Sequence, residues 1–109
     1  MSVTPVTTES FESVLESNRL VILDLWAAWC GPCLAFADVF RASSAAHPDV
    51  FYGSVDTVAE PELAQKLGVR SIPTTLIYRG GHLVYSRADV LTAADIDDAL
   101  IEVRSSGAC

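Results

Sequence analysis

The segment Leu20-Val21-Ile22-Leu23-Asp24-Leu25-Trp26 is apolar at odd and even positions alike. A strand sends alternate side chains to opposite faces, so this one must be covered on both, as central strands of parallel-type sheets are. One carboxylate, Asp24, interrupts the run. Shortly after it stands Trp29-Cys30-Gly31-Pro32-Cys33, and then a helical pattern with Phe36, Ala37 and Phe40 on one side. Two thiols at i and i+3 therefore meet at a strand-to-helix junction. Unpaired N–H groups and the positive end of the helix dipole favour thiolate over thiol there, and the thiolate is the nucleophile of disulfide exchange. Pro32 suits the first helical turn, where its missing N–H costs nothing. The i, i+3 spacing puts both sulfurs on one helix edge, within reach of disulfide geometry.

Other uses of the pair fit less well. A structural zinc site takes four ligands. Outside the pair the chain offers Cys109, His47 and His82, none in paired spacing, so no metal is expected. A purely structural disulfide closing so short a loop removes little unfolded-state entropy.

The chain has 109 residues, half of them hydrophobic, which is enough for one domain with its own core. Three cysteines do not make a secreted disulfide framework. Met1 to Thr8 carry neither a basic nor an apolar export region, and no apolar run could cross a bilayer. A cytoplasmic protein of a reducing compartment is the expectation. The net charge of −7 disfavours nucleic acid, which needs a basic patch.

Periodicity places a first helix over Glu9–Ser17, a strand over Leu20–Trp26 and a helix over Cys33–Ala46, stopped by His47-Pro48-Asp49. A strand follows over Val50–Val55. Pro61 opens a helix over Glu62–Leu67 and Gly68 closes it. Thr75–Tyr78 and Leu83–Tyr85 read as a hairpin joined through Arg79-Gly80-Gly81-His82. Thr92 caps a last helix with Ile96, Leu100 and Val103 on its buried stripe. Residues 105–109 read as a mobile tail of a single domain, 1–109. Val3–Val6 is a candidate edge strand despite Pro5. The fold class is α/β, a central mixed sheet with helices on both faces.

On Asp24-Leu25-Trp26-Ala27-Ala28-Trp29-Cys30-Gly31-Pro32-Cys33, on Val55-Asp56, on Ser71-Ile72-Pro73-Thr74 and on the order of elements, the chain resembles the thioredoxins over nearly its whole length. The resemblance implies the thioredoxin fold and reduction of protein disulfides by dithiol exchange. It implies no bound cofactor beyond the redox-active disulfide Cys30–Cys33, and an NADPH-dependent thioredoxin reductase as electron donor. It implies Cys30 as the exposed attacking thiolate and Cys33 as the buried resolving thiol. Asp24 matches the buried carboxylate that moves protons for Cys33, and Pro73 the cis-proline packed against the disulfide. Trp29, Gly31, Pro32 and Ile72 match the surface that receives disulfide-containing clients, with Ile72 pairing to an extended segment.

Four positions depart from the family pattern: Leu34 for a basic residue, Asp38 for a helix-kinking proline, Tyr52 for a lysine near the buried acid, and Asp89 for a glycine of the docking groove. If Asp89 lines that groove, its charge favours basic clients and Asp89→Gly speeds acidic ones; a solvated or turn-capping Asp89 does neither. Asp24 reads either as a carboxylate with a raised pKa or as a strand residue satisfied by a tyrosine or backbone donor. Trp29 alone reads as core or as docking surface. A reductase with few clients and a binding subunit of the same fold are the competing functions. A monomer is expected, with reversible Cys109-bridged dimers on oxidation.

Overall fold

The computed structural model describes residues 3–105. The chain runs β1 (Thr4–Pro5), α1 (Phe11–Ser17), β2 (Leu20–Trp26), α2 (Gly31–Ala46), β3 (Phe51–Asp56), α3 (Pro61–Lys66), β4 (Thr74–Arg79), β5 (His82–Arg87) and α4 (Ala93–Ser105). The sheet order is β1-β3-β2-β4-β5. β2 is central, pairing parallel with β3 and antiparallel with β4. Its two apolar parities are used on opposite faces. Leu20 and Ile22 pack with Phe36, Phe40, Ile77, Ile96 and Leu100 beneath α2 and α4. Val21, Leu23 and Leu25 pack with Phe11, Leu63 and Leu76 beneath α1 and α3.

The edges of the elements differ from expectation for local reasons. Helix α2 begins at Gly31, earlier than Cys33, because Cys30 is its N-cap and Pro32 lies in its first turn. Pro5 does not prevent β1. Val6 N–H still donates to the Ser54 carbonyl at 2.8 Å, and an edge strand tolerates proline on its free side. Arg79 pairs directly with His82, leaving a two-residue turn in which Gly80 and Gly81 have φ of 58° and 83°. Two successive positive φ values define the type I′ hairpin and call for glycine. Thr92 and Asp95 cap α4 reciprocally, Asp95 N–H to Thr92 Oγ1 at 3.1 Å and Thr92 N–H to an Asp95 carboxylate oxygen at 2.9 Å. No helix among the described residues is long and apolar enough to cross a membrane.

Gly53 sits where β3 passes beneath Val6 and Leu23. A Cβ there would lie 2.7 Å from Val6 Cγ2 and 2.8 Å from Leu23 Cδ2. Both neighbours are fully packed, so Gly53→Ala is expected to destabilise the fold by about 1–3 kcal/mol, read as a lower urea midpoint.

Candidate active site

At the α2 end of β2, Cys30 and Cys33 are joined by a disulfide with Cα atoms 5.2 Å apart. Cys30 keeps an extended backbone, and its Sγ accepts the Cys33 N–H at 3.2 Å. That sulfur therefore occupies the place of a capping oxygen on a sixteen-residue helix. A hydrogen bond and a helix N-terminus both favour negative charge on it once the bond is reduced. Cys30 is 5% exposed and Cys33 1%. Cys30 is thus buried rather than exposed in the disulfide-bonded state, and the contrast with Cys33 is narrow.

The thiol pair is packed with Ala27, and Trp26 and Ile72 lean on the same cluster. Ile72 and Pro73 are linked by a cis peptide, and Pro73 is buried at the entry to β4. Gly31 and Pro32 are exposed. Trp29 is 75% exposed, which decides between core and surface in favour of surface. Trp29 and Ile72 together line a cleft of about 430 Å³ with Thr57, Ala64, Val69, Arg70 and Ser71.

Asp24 lies on the α2 and α4 face of the sheet, opposite Thr75 on β4 and Ser54 on β3. It is 3% exposed, and its Oδ1 has no hydrogen-bond partner; neither does Thr75 Oγ1. The carboxyl is pushed up from 3.8 to about 7, and desolvation by burial is the cause. Of the two readings open for this residue, the structure gives the desolvated acid. Tyr52 does not satisfy it, because the Tyr52 hydroxyl shares a 2.7 Å hydrogen bond with Ser43 and its ring packs at a tilt against Phe40. Asp24 also lines a second cleft of about 300 Å³ with Trp26, Leu34, Ala37, Phe40, Arg41 and Ser54.

The remaining departures lie further out. Leu34 is half exposed, and Asp38 pairs with Arg41 on the surface of α2. Asp89 is exposed. One carboxylate oxygen accepts the Val90 N–H at 2.8 Å and the other faces Arg87 at 3.5 Å. No hydrogen bond or ion pair among the described residues links Asp89 to the disulfide, Trp29 or Ile72. Cys109 lies outside the described residues. Arg70 is a lining residue that sequence reasoning misses. Its position beside Ser71-Ile72-Pro73 is the signal that could have found it.

No group of three His, Cys, Asp or Glu among the described residues could hold a metal ion. What the arrangement supports is two-electron exchange at sulfur. The family model for thioredoxin matches residues 2–102. A thioredoxin of Synechocystis is 42% identical over 87 residues, covering 77% of this chain and 81% of that protein. A bifunctional thioredoxin reductase/thioredoxin of Mycobacterium leprae is 39% identical over 75 residues, covering 68% of this chain and 16% of that protein. Among solved structures, oxidised thioredoxin from Plasmodium falciparum superposes with a TM-score of 0.83 at 29% identity, covering 96% of this chain and all of that one. With the family model matched over residues 2–102 and a Cys30–Cys33 disulfide at the helix start, the chain belongs to the thioredoxin family and is a thiol–disulfide oxidoreductase.

Proposed function

We propose that this chain reduces disulfides in client proteins, and that a thioredoxin reductase drawing on NADPH returns it to the dithiol form. The observation that carries the reading is Cys30 Sγ held at the N-terminus of α2, hydrogen-bonded by Cys33 N–H, beside a cleft walled by the exposed Trp29. The Cys30 thiolate attacks one sulfur of the client disulfide. The client S–S bond breaks, a Cys30–client bond forms, and the departing client thiolate takes a proton. Cys33 then loses its proton and attacks Cys30 Sγ. The second client thiolate leaves and is protonated, and Cys30–Cys33 is the product disulfide. Two electrons and two protons have passed to the client. Asp24, which ionises only near pH 7, is in its carboxylate form the group proposed to accept the proton of Cys33.

The fused Mycobacterium leprae relative carries both names in one chain, which supports a reductase as the electron donor here. A soluble monomer working in a reducing cytoplasm suits this chemistry, since the resting form has to be the dithiol. A binding subunit with incidental cysteines has less in its favour, as both sulfurs stand at bonding distance on a helix N-terminus. Catalytic reduction of insulin with dithiothreitol, and NADPH oxidation on adding a thioredoxin reductase, test the reading together. No acceleration of insulin reduction would leave the binding-subunit reading.

Asp89 faces Arg87 at 3.5 Å and both side chains are about half exposed, so a client would meet the two opposite charges together. Asp89→Gly is therefore expected to shift the ratio of rates on acidic and basic disulfide peptides by less than about twofold. Second-order rate constants for the two peptides check this.

A further inference from the structure

The seven lysines and arginines are not used alike. Arg41, Lys66, Arg87 and Arg104 each face a carboxylate, on Asp38, Glu12, Asp89 and Asp49. Arg79 donates to the Val103 carbonyl. Among the described residues Arg19 and Arg70 have no such partner. Arg19 borders an open cleft with Gly80 and Gly81, beside the hairpin turn. Arg70 lines the cleft that Trp29 and Ile72 share beside the disulfide.

The carboxylates of the neighbouring loops are already engaged. Asp56 accepts the Val58 and Ala59 N–H groups at 3.0 and 3.1 Å. Glu60 accepts from the Thr8 backbone and hydroxyl at 2.9 and 3.1 Å. Asp89 faces Arg87. In a chain of net charge −7, Arg70, with no carboxylate partner among the described residues, lines the cleft beside the disulfide.

We propose that Arg70 selects clients with an acidic side chain close to the target cysteine, seating that carboxylate in the cleft while Ile72 and Trp29 hold the segment. The proposal rests on the protein-disulfide reductase reading and names its substrate preference. Arg70 is the one charged side chain among the residues that line this cleft. At 0.1 M ionic strength charges farther away than about 10 Å are largely screened, so a cation in the cleft lining itself outweighs the distant part of the chain's net charge. A guanidinium is also suited to a carboxylate, since it offers a planar fork of donors.

The test uses the full chain, pre-reduced, and a set of disulfide peptides that differ at one position. Aspartate, glutamine or lysine is placed in turn at each of the three residues on either side of the cysteine. Second-order rate constants are measured at 0.1 M and 0.5 M salt for wild type, Arg70→Gln and Arg70→Lys. At one or more positions the wild type should reduce the aspartate peptide about fivefold faster than the glutamine peptide. That ratio should fall toward one in Arg70→Gln and at 0.5 M salt, and survive in part in Arg70→Lys. Equal rates at every position in the wild type would overturn the proposal, and so would a preference that persists in Arg70→Gln. If the wild type reduces none of the peptides, the reductase reading itself fails, which is a separate result.

Discussion

Cys30→Ser is expected to lower protein-disulfide reduction by at least about 10³-fold, because a serine hydroxyl is un-ionised at neutral pH and cannot replace the thiolate nucleophile. Cys33→Ser should behave differently. Its Cys30 can still attack, so the first half of the reaction proceeds and stops. Mixed disulfides between Cys30 and clients should accumulate and be released by dithiothreitol. The asymmetry follows from the helix terminus, where Cys30 Sγ is the acceptor of an N–H and Cys33 supplies that N–H. Non-reducing electrophoresis with a client mixture reads it directly. Equal trapping in both variants, or trapping only in Cys30→Ser, would show the roles to be shared or exchanged.

Asp24→Asn is expected to stabilise the fold by about 2–4 kcal/mol at pH 8 while leaving stability near pH 4 little changed. The folded chain holds the Asp24 proton to about pH 7, against an unfolded carboxyl near pH 3.9. Between those values the folded state binds the extra proton. The contribution of this residue is therefore full below pH 4 and lost progressively as pH rises to 7, a change of about 4 kcal/mol. Asparagine does not titrate, so the variant should lose that part of the pH slope. Part of the gain is offset because the amide needs partners that Oδ1 lacks. The same variant should slow the step in which Cys33 releases the client by about tenfold or more at pH 7. Urea titrations at pH 4 and pH 8, with the decay rate of the mixed disulfide, measure both. A variant with the wild-type pH slope would place the titrating group elsewhere.

The α/β layering could be read from β2 alone, since only a strand covered twice can be apolar at both parities. The start of α2 could be read from Pro32 and the thiol pair, although Gly31 and Pro32 belong to the helix as well. The cis peptide before Pro73 has no local signal in Ser-Ile-Pro-Thr, and the expectation came from the family resemblance. The state of Asp24 was open because it depends on which neighbours bring donors. Tyr52 could have supplied one, but its hydroxyl reaches Ser43 on α2. The groove position of Asp89 rests on the family resemblance, and its nearest charged neighbour is close in sequence. Arg87 stands two residues away, and the short-range pair forms before any client arrives. Arg70 was invisible because a charge acquires meaning only when the partners of all the others are known.

β2 is bonded along both edges, to β3 and β4, and sealed on both faces, whereas β5 is an edge strand exposed along most of its length. Amide hydrogens of β2 should therefore exchange with solvent only when the whole chain unfolds, while those of β5 exchange through smaller openings. The dithiol hangs from the end of this doubly bonded, doubly covered strand. Fraying at β5 can come and go on a much shorter timescale without the two sulfurs losing their mutual register.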